Sequence, residues 1–340
     1  MRAGPPERIV VLSGGVGGAR FLRALTAWNR ARPLPAQITA VVNTADDFWH
    51  IGVRICPDLD SVLYTLAGVG DAERGWGRRA DSETVLDELR AWQAPGTWFS
   101  LGDRDLALSL FRTQLLREGL GLAEITARLA ERWPLGVRIL PATEQPIETR
   151  VSLAPAAAGS DEPEDLGFQE WWVRRRASAD ATGFRVAGLE RAHAGPGVLE
   201  ALAAADRVLI APSNPIVSIW PILGIPVIRE VLEASSARVL GLSPLLAGRP
   251  VRGHADRCLS IAGVPPSSAG IAGFYGPRRP AVAGLPPGIL DGWLIDERDA
   301  AQLDEVRALG ITAAAAPILF PEDPSDHRIV RALLALAADE

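Results

Sequence analysis

The 340 residues contain no lysine; all 35 basic side chains are arginine. That removes Schiff-base chemistry and the P-loop, whose lysine reaches the nucleotide phosphates. Two cysteines, Cys56 and Cys258, are too few for a disulfide framework and show no zinc spacing. The four histidines, His50, His193, His254 and His327, are scattered, and no G-x-S-x-G is present, so a hydrolase triad has no support. No stretch approaches the roughly 20 apolar residues of a membrane helix. The opening MRAGPPER places no apolar run ahead of the first strand, and the expected setting is the cytoplasm, with no membrane partner. An excess of positive charge is missing too: a net charge of −6 argues against a nucleic-acid partner held by a basic surface.

What the chain does have is a strand running into glycine. Ile9–Leu12 reads as a buried strand, followed by Gly14, Gly15, Gly17 and Gly18 and then by apolar residues at helical spacing (Phe21, Leu22, Leu25, Trp28). Strand, glycine turn and helix point backbone N–H groups and the positive end of a helix at an anion. Glycine lets a phosphate approach the backbone where a Cβ would block it. A dinucleotide fingerprint needs a third glycine three residues after Gly17 and an acid at the end of the next strand; the chain has Arg20 and Asn43 there. After Asn43 come four carboxylates, Asp46, Asp47, Asp58 and Asp60. Acids beside a phosphate cradle repel the ligand unless a cation lies between, which points to a magnesium-type site. Asp58, at the start of a helix marked by Leu59, Val62, Leu63 and Leu66, is read chiefly as a helix cap.

Further along, Ile38–Val42 is a second strand, Gly68–Arg79 a phosphate-facing loop, and Gly102–Asp105 a turn capping a helix that carries Leu106, Leu110, Phe111 and Leu115. Arg104 and Arg112 on that helix are candidates for substrate anions. Val137–Leu140 is a strand. Then the pattern changes: Ile147–Leu153 alternates as a strand, Ala154–Asp165 is a linker or hairpin tip, and Phe168–Arg176 reads as a second strand, with no helices between. Strand Arg207–Ala211 delivers Ser213 and Asn214 to a polar turn, the place where open α/β sheets bind ligands. Strands at Val239–Leu242, Leu290–Ile295 and Ile311–Ala315 follow. The expected fold is therefore α/β, Rossmann-like, a mainly parallel sheet flanked by helices with a β-rich insert. Residues 1–140 form an N-terminal α/β part with the glycine turn and acidic loop, 141–190 the insert or arm, and 191–340 a C-terminal part completing the same domain.

Taken together, SGGVGGARFL (Ser13–Leu22), VVNTADDFW (Val41–Trp49), CPDLDSVLYTLAG (Cys56–Gly68), RGWG (Arg74–Gly77), LGDRDLA (Leu101–Ala107), FQEWWVR (Phe168–Arg174), IAPSNPIVSI (Ile210–Ile219) and LDGWLI (Leu290–Ile295) give the chain, over nearly its whole length, a resemblance to the 2-phospho-L-lactate transferase family of coenzyme F-420 biosynthesis. The glycine-turn form, RGWG and FQEWWVR are most similar to the bacterial branch. The resemblance implies a magnesium-dependent transferase. The terminal ribityl hydroxyl of the deazaflavin Fo attacks the phosphorus of a GMP-activated three-carbon phospho-acid (phosphoenolpyruvyl, or 2-phospho-L-lactyl), GMP leaves, and a (dehydro) F-420-0 product forms. It further implies Asp60 and Asp47 as catalytic acids, Asp46, Asp47 and Asp60 toward the metal, and a homodimer. Substrate contacts would come from Gly14, Gly15, Gly17, Gly18, Arg20, Asn43, Asp103, Arg104, Arg112, Ser213 and Asn214. Ser100 stands where archaeal members carry a lysine near Fo, and Gly167 where they carry a histidine. Two other expectations remain beside this one: a guanylyltransferase that makes the activated donor, and a regulatory nucleotide-binding member without transfer.

Overall fold

The computed structural model describes residues 5–154, 165–177, 180–280, 288–321, 323 and 325–337. Its frame is a seven-stranded sheet: β1 (Arg8–Ser13), β2 (Gln37–Val42), β3 (Arg138–Pro141), β4 (Arg207–Ile210), β5 (Arg238–Leu242), β6 (Gly292–Asp296) and β7 (Thr312–Ala316). They lie in the order β7-β6-β5-β4-β1-β2-β3, every pair parallel. The strands are near-continuous apolar runs because both faces are covered. Val10 and Leu12 belong to one buried cluster with Val41, Ile210 and Val239; Ile9 and Val11 belong to the other with Ala40, Leu209 and Leu240. Alternate residues thus face opposite sides of the sheet, the two-residue period of a strand. Helix α1 (Gly15–Arg30) turns Phe21, Leu22 and Leu25 into the second cluster and packs on α2 (Pro57–Leu66). It starts at Gly15, earlier than the apolar periodicity alone indicates.

The strand order reverses between β1 and β4, which leave the centre of the sheet in opposite directions. Such a switch point opens a crevice at the carboxyl ends of its two strands. Here those ends carry the glycine turn and Ser213-Asn214.

Glu148–Leu153 is the middle strand of a separate antiparallel sheet, paired with Asp165–Gly167 and Ala181–Ala187. Between its outer strands the chain departs from the expected pattern. Phe168–Arg176 is not a strand: Phe168 and Gln169 are helical and Glu170–Arg174 make a π-helical turn. The aromatic run carries high β-propensity, but its apolar members recur at helical spacing. Phe168, Trp171 and Trp172 pack together, with Trp171 fully buried, and Glu170 pairs with Arg174 four residues on. Residues 155–164 of the expected linker lie outside the described residues. Before the insert come a short hairpin, Phe48–His50 with Val53–Ile55, and the helix α3 (Asp103–Arg117). No single helix among the described residues is long and apolar enough to cross a membrane.

Candidate functional site

A cavity of about 530 Å³ opens at the switch point. One wall is the glycine turn with Arg20; a second is Pro212, Ser213, Asn214 and Ser218; Asp46 and Asp58 form the polar floor. The far wall is aromatic, with Trp98, Phe99 and Ser100 on one side and Phe168 and Trp172 on the other. Phe168 and Trp172 stack at 5.7 Å and 23°, and His254 sets its ring edge-on to Trp172 at 4.8 Å.

The glycines do different work from one another. A Cβ on Gly14 would lie 2.6 Å from Asp58 Oδ2 and 2.7 Å from Ser218 Cβ, and one on Gly17 would strike the Pro212 carbonyl oxygen. One on Gly18 would strike Ser13 Oγ and lie 2.6 Å from Ser213 Oγ. The close approach allowed by these three is of protein on protein, so the reason expected from the sequence, room for a phosphate, is corrected for them. Gly15 alone faces open space, with φ +59 and Asp58 Oδ1 at 3.7 Å from the position a Cβ would take. Ser213 fastens the two walls: its Oγ accepts from the Gly14 N–H (3.0 Å) and donates to the Gly14 carbonyl (2.7 Å). Asn214 Oδ1 accepts from the N–H groups of Ile216 and Val217 and starts the next turn. Val16 and Gly17 remain as first-turn donors of α1 pointing out of the helix start.

The four acids divide. Asp58 packs against the glycine turn and accepts from Asn43 Nδ2 at 3.0 Å. Asn43 also donates to the Val217 carbonyl and accepts from the Ala45 N–H, so it knots β2, α2 and the 214–219 turn together without lining the cavity. Asp58 is not a cap: Cys56 holds the N-cap position of α2 and no side chain caps it. Asp46 lies beside Asp58, buried, and its Oδ1 has no hydrogen-bond partner. Burial, then the Asp58 and Asp47 charges, push the Asp46 carboxyl well above the usual range; burial also raises Asp58 to about 6, against the pull of Asn43 and the Gly15 amide. Two acids that resist ionising together on a cavity floor are what a cation would neutralise.

Asp47 and Asp60 do not line this cavity. Asp60 forms a two-pronged ion pair with Arg112, Nη1 to Oδ2 at 3.1 Å and Nη2 to Oδ1, and Arg112 is 2% exposed. Arg112 Nη1 also donates to the Arg54 carbonyl, and Arg54 stands 3.8 Å from the buried Asp47, whose carboxyl burial raises to about 7. Arg112 is thus engaged by protein at both terminal nitrogens. Asp103 accepts from Ser82 Oγ and from the Thr84 and Val85 N–H groups, and serves the start of helix Thr84–Ala91. Arg104 lies outside the cavity lining, while Ser100 lines it and donates to Glu83 at 2.7 Å. Among the described residues no group of three or more His, Cys, Asp and Glu side chains could hold a metal by itself. Sequence reading did not single out Trp98, Phe99, Trp172 or Arg252; Trp172 was visible only as part of FQEWWVR.

Residues 9–318 match the family model of the 2-phospho-L-lactate transferase CofD. The chain belongs to that family. It is a transferase by descent, and its relatives refine the class. It is 47% identical to a phosphoenolpyruvate transferase of Mycolicibacterium smegmatis over 97% of this chain and 98% of that one. It is 44% identical to one from Nocardia farcinica (97% and 95%) and 43% identical to one from Streptomyces coelicolor (98% and 98%). The crystal structure of a UPF0052 family protein from Bacillus halodurans superposes with a TM-score of 0.59 over 98% of this chain and all of that one, at 17% identity, and so shares the fold.

Proposed function

We propose that this transferase moves a three-carbon phospho-acid from a GMP-activated diphosphate donor to the terminal hydroxyl of Fo, releasing GMP and giving the (dehydro) coenzyme F-420-0 phosphodiester. The observation that carries the reading is the cavity itself: a helix N-terminus and a buried, mutually repelling carboxylate pair on one side, and aromatic rings fit for a planar tricycle on the other. The donor's diphosphate lies along the glycine turn, and the deazaflavin against Trp98, Phe99, Phe168 and Trp172. The hydroxyl oxygen attacks phosphorus, the bond to GMP breaks, and the hydroxyl proton passes to the carboxylate floor. Little covalent work falls to the protein; positioning and charge neutralisation carry the rate.

Magnesium fits the floor, because Asp46 Oδ1 is an unpartnered buried oxygen beside a second carboxylate. Asp46 and Asp58 would hold it, and its charge would offset that of the diphosphate. Two protein carboxylates are the usual complement for this ion when phosphate oxygens complete its shell. A cytoplasmic homodimer belongs to the same reading, and sedimentation of the purified chain tests the second half of it.

The test is incubation with Fo, GTP and phosphoenolpyruvate, with and without a guanylyltransferase. A new deazaflavin mass only in the presence of the guanylyltransferase is the expected result. A product formed without it would make this chain the donor-forming enzyme, and no product in either tube would leave a nucleotide binder. With purified donors, kcat/KM for the enolpyruvyl form should exceed that for the lactyl form. One trigonal carbon in a shaped pocket is typically worth ~1–3 kcal/mol; equal values would remove the preference.

A further inference from the structure

The RGWG segment lies in a small closed loop at the edge of the cavity. Gly70 bridges Arg78, the Asp71 N–H donates to the Gly77 carbonyl, and Asp71 Oδ1 accepts from the Glu73 and Arg74 N–H groups. Arg74 and Trp76 of this loop line the cavity. Two guanidinium groups from distant parts of the chain converge on it. Arg20 Nη2, from α1, and Arg252 Nη2, from the segment before helix Ala255–Ile261, each donate to the Ala72 carbonyl at 3.3 Å. Arg252 lies so close to Gly75 (φ +82) that a Cβ there would strike its Nη1 and come within 3.4 Å of Val16 Cγ1. Val16 is one of the two first-turn donors of α1, and Arg20 is one turn further along the same face.

Three other arginines near the site have acidic partners: Arg54 has Asp47, Arg112 has Asp60 and Arg74 has Glu83. The hydrogen bonds of Arg20 and Arg252 instead end on a neutral carbonyl. Burial, Arg252 and Arg23 all disfavour the charge on Arg20, so an anion placed between the two forks would relieve a repulsion already present. Paired guanidinium groups match the geometry of phosphate oxygens better than that of one carbonyl.

We propose that Arg252 works with Arg20 as a clamp on the diphosphate of the nucleotide-activated donor, the phosphate oxygens taking the place of the Ala72 carbonyl. Arg252 is then a donor-binding residue contributed from outside the glycine turn. The assignment rests on the nucleotide reading above, and the experiment separates the two. The full-length chain is titrated calorimetrically with GDP, and guanosine is measured by competition. GDP binding by the unaltered chain is the premise; its absence overturns the nucleotide reading and the clamp with it. Given that binding, Arg252→Gln should weaken GDP about 10-fold or more, the usual loss for a charge-assisted hydrogen bond. Guanosine affinity and the unfolding temperature should stay unchanged. Arg252→Lys, which keeps the charge without the fork, should recover part of the loss. An Arg252→Gln variant that binds GDP as tightly as the parent overturns the clamp even if the intact donor binds less well. An equal loss for guanosine overturns it too, by showing a structural effect.

Discussion

The cavity floor and the layer directly behind it are built from the same material and behave differently. Asp46 and Asp58 face the cavity with no cation beside them among the described residues, Asp58 held by Asn43 and the Gly15 amide and Asp46 facing the Thr149 hydroxyl. Asp47 and Asp60, one and two residues further along the chain, face away from it and meet Arg54 and Arg112. The rear layer has arginines in place, although both Asp47 oxygens lack a hydrogen bond and burial still raises that carboxyl to about 7; the floor has no cation among the described residues. Buried charge without a partner costs several kcal/mol in real proteins, and a fold tolerates it where a ligand completes the set. On this comparison the proposed cation belongs on the floor, a narrower placement than a count of acids gives.

The largest expected effect falls on the floor. Asp58→Asn and Asp46→Asn each keep the shape and remove one charge, so each should lower kcat by roughly 10²–10⁴-fold, the range for a positioned acidic group in the reacting centre. The magnesium concentration needed for half-maximal rate should rise, and guanosine binding should be retained. Steady-state assays over a magnesium series decide this; wild-type turnover in both variants would move the metal off the floor.

The rear layer should respond in stability first. Asp60→Asn leaves Arg112, 2% exposed, without its counter-charge. Removing one member of a buried pair costs roughly 3–5 kcal/mol, and an asparagine that keeps one hydrogen bond should fall at the lower end. Urea unfolding reads the loss as a shift in midpoint at unchanged slope. The folded fraction should turn over within a few-fold of wild type. A stable Asp60→Asn protein with no activity would reverse the comparison and put Asp60 in the chemistry, as the family resemblance first implied.

Much of the frame was legible in the sequence. All seven central strands stand close to their expected positions, because a strand buried on both faces is a short uninterrupted apolar run bounded by turn residues, a local signal. The switch point was legible as well, since glycines follow β1 and Ser213-Asn214 follow β4. The orientation of the acids was not. Residues two apart on a helix point roughly 200° from one another, so Asp58 and Asp60 had to face different ways. Which of them faced the glycine turn depended on how α2 packs on α1, a tertiary fact. Phe168–Arg176 failed for a related reason: β-propensity is a statement about fitting a half-buried sheet, and here the rings found a helical way to bury Trp171. Arg252 carried no signal at all, since its meaning comes from Arg20 and Ala72, both far away in the chain.

The smallest expected effect is also the sharpest test of the comparison, because it removes the rear ion pair whole. In Arg112→Met combined with Asp60→Leu both charges go and apolar side chains of similar length fill the space. Replacing both members of a buried pair is often neutral or stabilising, whereas removing one is not. The double variant should therefore unfold within ~1 kcal/mol of the parent and be more stable than Asp60→Asn alone, a strong positive coupling between the two sites. Its kcat should stay within a few-fold of the parent, because Asp46 and Asp58 are untouched. The partly buried Arg54 carbonyl also loses one donor. If the double variant folds and unfolds as the parent does but has lost its turnover, the Asp60–Arg112 pair contributes to catalysis, and the boundary drawn between the floor and the layer behind it is in the wrong place.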